Sequence, residues 1–144
     1  MKKTDLAWAA GVIDGEGCIG IYRASFTLQL VLRVANIDPK MILKLEDLFG
    51  GHIRVSSPDK RPRRRRAFHW IIRDRRAENV LRKLLPFLVT KHDEAVIALN
   101  FGALRKGNGN HYTQAEHKKR TILQRAIADR KKIQFPHNAL KLVS

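Results

Sequence analysis

Between residues 4 and 85 the hydrophobic period changes in a fixed order, helical to alternating and back, twice over. That order narrows the possible folds more than any other feature of the chain. Residues 4–14, TDLAWAAGVID, predict a helix with Thr4 or Asp5 as its cap. Residues 18–24 and 26–36 predict two strands. In the second, FTLQLVLRVAN, the residues Phe26, Leu28, Leu30, Leu32 and Val34 alternate with Thr27, Gln29, Val31, Arg33 and Ala35, so one face is core and the other mostly is not. In DPKMILKLEDLFGG, Asp38 serves as N-cap, Pro39 takes the first helical position, apolar residues recur at 41, 42, 45, 48 and 49, and Gly50 ends the helix. A second strand pair follows at 52–56 and 66–73, separated by the exposed loop SPDKRPRRRR, and a third helix occupies 75–85, before Pro86. Two more helices start at Thr90, with Asp93 three residues on, and at Thr113 with Glu116; the second is the better capping box, and RKGNGN between them is a loop. The expectation is an α+β domain, a four-stranded antiparallel sheet with helices on one face, and a helical extension. The chain reads as one domain, with its core at about 4–105 and the extension at about 106–144.

Charge decides the class of partner. The chain has 29 Lys and Arg against 13 Asp and Glu, a formal net charge of +16, which exceeds what solubility requires and points to a polyanion. A membrane is the rival polyanion, but no apolar run approaches a spanning helix and the N-terminus lacks a signal-peptide core, so nucleic acid leads as the partner and the reading is an intracellular protein. Cys18 is the sole cysteine, which excludes an internal disulfide and the Cys/His zinc-finger spacings; the six histidines are scattered.

An antiparallel sheet with helices on one side leaves its other face to a ligand. The outward positions are Tyr22, Thr27, Gln29, Val31, Arg33, His52, Arg54, His69, Ile71 and Arg73. They include side chains that read base edges: Arg toward guanine, Gln toward adenine, and apolar groups toward the thymine methyl. Lys60, Arg61, Arg63, Arg64, Arg65 and Arg66 supply phosphate contacts, which position without specifying sequence. Taken alone, such a run is also compatible with a solvated loop or a localisation signal.

The stretch GVIDGEGCIG, residues 11–20, sets two carboxylates among glycines just where helix gives way to strand. Ala7, Ala10, Gly11 and Asp14 recur at three- and four-residue spacing as a stripe of small side chains ending in an acid. If two copies of the helix cross along it, their C-terminal ends meet and two Glu16 carboxylates come close. Like charges at the negative end of a helix dipole need protonation or cations. Hard divalent ions, Mg²⁺ above all, suit the Glu16 carboxylate and the Gly15 carbonyl, while Gly15 and Gly17 allow a sharp turn and a nearby phosphate.

At these residues AAGVIDGEG, 9–17, resembles the LAGLIDADG motif of homing endonucleases, with Ala9 and Val12 as departures and Glu16 in place of the second Asp. The resemblance extends to the αββαββα order and covers residues 4 to about 105. It implies a motif helix at the interface between two such halves, a second acid that binds the catalytic metal, and sheets seated in the DNA major groove. A single motif implies a homodimer on a palindromic or near-palindromic site, as two-fold symmetry also demands. By the same resemblance, Asn36 positions water, Lys40 lies near the scissile phosphate, and Lys91, in the context LLPFLVTKHDEA, organises solvent and offsets charge. The implied activity is Mg²⁺-dependent hydrolysis of double-stranded DNA. Three alternatives share the features: a cleavage-inactive DNA-binding regulator, a maturase that binds intron RNA, and a ribosomal or other RNA-binding protein. The first conflicts with the retained acids, and the last leaves the acid-glycine cluster unexplained and offers only Tyr22 for base stacking.

Overall fold

A computed structural model describes residues 1–57, 65–107 and 111–132. Its elements are helix α1 (Lys3–Glu16), strands β1 (Gly17–Ala24) and β2 (Thr27–Asn36), helix α2 (Pro39–Phe49), strands β3 (His52–Val55) and β4 (Phe68–Arg73), helix α3 (Asp74–Leu84), a short 3-10 turn at Leu85–Phe87, and helices α4 (His92–Ala103) and α5 (Gln114–Arg130). The strands form one antiparallel sheet in the order β1-β2-β4-β3. This is the expected α+β order with helices against one sheet face.

The core is set by the alternation in β2. Leu30, Leu32 and Val34 are fully buried, joined by Ile19 and Ile21 from β1, Trp70 and Ile72 from β4, and the apolar sides of the helices. Trp70 satisfies its indole N–H on the Gly50 carbonyl at 2.7 Å, which ties β4 to the end of α2. Gly50 and Gly51, at φ 66° and 112°, make the turn between α2 and β3 in backbone that favours glycine. Asp38 caps α2 by accepting from the Lys40 N–H, and Thr113 and Glu116 form the reciprocal capping box of α5.

Several local expectations are corrected. Helix α1 starts after Lys2, whose N–H donates to the Asp5 carboxylate, and Thr4 lies inside the helix. Phe26 is not core: it sits at the tip of the β1–β2 hairpin, 99% exposed, beside Ser25 at φ 53°. Thr90 is not a cap, because α4 begins after Lys91. Nor do Gly15 and Gly17 make a sharp turn. The helix runs through Gly15 to Glu16, and Gly17 has the extended backbone any residue adopts.

What Gly17 requires is space, since a Cβ there would lie 2.5 Å from the Ile13 carbonyl oxygen and 2.8 Å from its Cα. Backbone at that distance cannot yield cheaply. Gly17→Ala is expected to lower the unfolding free energy by about 1–3 kcal/mol, read as a fall in urea midpoint. Gly15→Ala, whose Cβ meets nothing within 4 Å, is expected to be neutral or stabilising.

Candidate acid cluster and nucleic-acid interface

The end of α1 gathers most of the chemistry. Asp14 points inward and caps the segment before α4, its carboxylate accepting the Val89 N–H at 2.8 Å and the Lys91 N–H at 2.9 Å. Lys91 returns its ammonium to the Asp14 carbonyl at 2.6 Å, so a cation sits on a helix C-terminal carbonyl, where the dipole favours it. Asp14 therefore has a structural task within its own chain. Asp14→Ala is expected to cost about 2 kcal/mol or more, as two charge-assisted bonds to backbone donors are lost; equilibrium denaturation measures it, with no dependence on divalent ions.

Glu16, two residues on, is exposed at the last position of α1, as is Gly15. Gly17 pairs with Val34, so the end of α1 shares one end of the sheet with the end of β2, where Asn36 accepts the Asp38 N–H at 2.8 Å. Lys40 stands exposed in the first turn of α2 just beyond. The structure thus brings Glu16, Gly15, Lys91 and Asn36 to one end of β1 and β2, with Lys40 at its margin. Among the described residues no three His, Cys, Asp or Glu side chains stand together as a metal cage. A carboxylate and a carbonyl suit a hard cation, and its remaining oxygens would have to come from water, phosphate or a second copy.

The outward face of α1 is narrower than the sequence stripe. Ala7, Gly11 and Gly15 are exposed at four-residue spacing, whereas Ala10 is fully buried within the chain and is corrected from interface to core. A Cβ on Gly11 would meet nothing within 4 Å.

On the sheet face away from the helices, register aligns the polar residues in rows. Cys18, Arg33, Ile71 and His52 form one row; Gly20, Val31 and Arg73 another; Tyr22 stands opposite Gln29; and Ala35, His69 and Arg54 form a fourth. A cleft of about 200 Å³ opens among Arg33, Arg54, His69, Ile71, Ser56 and Ser57. Thr27, Arg33, His52, Arg54, Arg65, Arg66 and Arg73 are exposed, and Val31 is half-buried. Lys60, Arg61, Arg63 and Arg64 lie outside the described residues.

Two outward residues are engaged rather than open. Gln29 donates its carboxamide N–H to Asp74 at 2.9 Å. Tyr22 lies over Gly20, where a Cβ would collide with its ring, and its hydroxyl meets Cys18 Sγ at 3.4 Å. Lys131, just past α5, reaches the same group, 3.2 Å from Cys18 Sγ. Burial pushes the Cys18 thiol up, but the hydrogen bonds from Tyr22 and Lys131 and the Lys131 and Arg33 charges outweigh it and leave the thiol below its ordinary range. Lys131 was not legible as a member of this face; nothing in the tail's composition distinguishes it from its basic neighbours. Asp74 was also missed, although an acid directly after a strand and opening a helix is a recognisable position.

No family model and no curated protein matches the sequence. The fold is nonetheless similar to that of solved LAGLIDADG homing endonucleases. It matches the homing endonuclease I-CvuI, solved in complex with its target in the presence of 2 mM Ca, with a TM-score of 0.71 over 91% of this chain and 84% of that one at 19% identity. It matches the archaeal intron-encoded homing endonuclease I-Vdi141I complexed with DNA at a TM-score of 0.73, over 95% and 90%, at 13% identity. Against the LAGLIDADG meganuclease I-AabMI bound to uncleaved DNA, the TM-score is 0.62 at 19% identity, and 96% of this chain spans 48% of the other. The shared fold therefore spans most of the first two of these chains and about half of the third.

Proposed function

We propose that the protein is a site-specific DNA endonuclease that works as a homodimer on a long palindromic or near-palindromic duplex, with Mg²⁺ as its divalent ion. The observation that carries this reading is the end of α1: Asp14 is consumed by Val89 and Lys91, while Glu16, the next acid, stands exposed at the end of a helix face of small residues. An acid with a structural task inside its own chain would be engaged as Asp14 is. The fold is one whose solved examples cited above are homing endonucleases in complexes with DNA, and the net charge of +16 suits the phosphate backbone.

In the proposed dimer, the Ala7, Gly11 and Gly15 faces of two α1 helices meet and bring the two Glu16 carboxylates together. With the Gly15 carbonyls they hold the divalent ion, which when bound lowers the barrier by activating water and offsetting charge on the reacting oxygens. Lys91, anchored on the Asp14 carbonyl, places fixed positive charge beside this end of the helix; Asn36 orients water, and Lys40 meets the phosphate. Arg33, Arg54, His69, Ile71 and Arg73, with Tyr22, Thr27, Gln29, Val31 and His52, read base edges, while Arg65 and Arg66 contact phosphates. No helix among the described residues is long and apolar enough to cross a membrane, and the partner surface is assigned to duplex DNA.

The test is a selection on randomised palindromic duplexes with Mg²⁺, in which cut and bound molecules are sequenced separately. A shared motif in both pools supports the reading. Enrichment without cut ends favours a cleavage-inactive regulator, and binding only to folded intron RNA favours a maturase.

A further inference from the structure

The contact between Gln29 and Asp74 fixes more than a side-chain position. A carboxylate only accepts hydrogen bonds, so the end of the Gln29 carboxamide that faces Asp74 Oδ2 at 2.9 Å must be its nitrogen. The carbonyl oxygen then faces away. Asp74 is itself held in place: its Oδ1 accepts the Leu30 N–H at 3.2 Å and lies 3.5 Å from Arg105 Nη2, and Arg105 also pairs with the buried Glu78. The backbone at Asp74 is left-handed, φ 50°, a conformation that Asp and Asn tolerate better than most residues. Gln29 lies across from Tyr22 on the outer sheet face.

Resting on the DNA-binding reading above, we propose that Asp74 is a specificity-determining positioning residue that commits Gln29 to offer its carbonyl oxygen to the major groove. The bases that answer an acceptor there carry an exocyclic amine, adenine through N6 and cytosine through N4. Without Asp74 the carboxamide turns over at little cost and offers N–H groups to the keto bases, guanine through O6 and thymine through O4. A free glutamine presents either end; a tethered one, with its nitrogen turned to Asp74, presents its oxygen foremost.

Asp74→Asn tests this sharply. The Leu30 N–H and Arg105 keep an oxygen at the Oδ1 position, so the new Nδ2 replaces Oδ2 and donates toward Gln29, which must turn its own oxygen inward. The variant keeps a residue suited to φ 50°, and its melting temperature checks the fold.

Binding-site selection is run on wild type, Asp74→Asn, Gln29→Ala and the double variant. The expected result is a wild-type preference for an amino base of roughly tenfold or more at one position per half-site. That preference is lost in Gln29→Ala, turned toward keto bases in Asp74→Asn, and unaffected by Asp74→Asn once Gln29 is alanine. The proposal is overturned if Asp74→Asn leaves the preference unchanged, weakens all positions alike, or acts equally in the Gln29→Ala background, as a purely structural residue would. If Gln29→Ala changes no position while the protein still selects a site, the proposal fails and the endonuclease reading stands. A chain that selects no duplex site overturns both.

Discussion

Glu16→Gln is expected to bind the target duplex within about threefold of wild type and to cleave it at least a thousandfold more slowly, as losses at charge-stabilising catalytic groups run. The substitution keeps the shape of the side chain and removes its charge. Because Glu16 is exposed at the end of α1 and Asp14 supplies the bonds that anchor α4, the fold has nothing to lose. The basic surface gains one net positive charge per chain, which works slightly in favour of phosphate binding. Removing both carboxylates from a dimer also removes their mutual repulsion, so self-association should hold or tighten. Gel-shift and single-turnover cleavage assays on one duplex separate the two effects. Equal cleavage by the variant would place the ion elsewhere.

Gly11→Leu is expected to act in the opposite way, leaving the chain folded and breaking the dimer. A Cβ at Gly11 enters open space in the monomer, and leucine improves helix propensity by about 0.8 kcal/mol, so the isolated chain should melt at the same temperature or higher. Between two crossing helices the same side chain keeps the backbones apart and separates the two Glu16 carboxylates. Sedimentation velocity at assay concentration should give a monomer, and cleavage should vanish with it. An unchanged dimer would mean that α1 is not the seam. Gly17→Ala makes a useful contrast, since there the cost falls on the monomer.

Features that depend on neighbours in sequence were legible. The period-two pattern of β2, the Asp38–Pro39–Gly50 frame of α2 and the Thr113–Glu116 box of α5 are local chemistry, and each appears where its residues predict it. So is the outward row of Arg33, Ile71 and His52, because burial on a strand obeys the same alternation. What escaped depends on distant partners. Asp14 reads as a misplaced helix-terminal acid until Lys91, far along the chain, supplies both an N–H for its carboxylate and an ammonium for its carbonyl. Ala10 and Gly11 are neighbours of similar size, and only the packing of the helix on the sheet makes one core and the other surface. Phe26 fits the alternation of β2 by identity but lies just before its first residue, Thr27, in the turn.

Helix α5 also bears on how the molecule behaves in a crowded solution. Gln124 donates to the Ile21 carbonyl at 3.3 Å, so a side chain of the extension reaches the β1 border of the sheet, while Arg120 donates to the Leu28 carbonyl of β2 at 3.0 Å. A strand at a sheet border is a template for another chain's strand, and unguarded ones seed aggregates. Here a basic helix occupies the β1 border, and the β3 border is a strand of only four residues whose His52 and Arg54 face outward. Among the described residues both borders are thus partly guarded, which discourages growth by strand addition and agrees with the association through α1 proposed above.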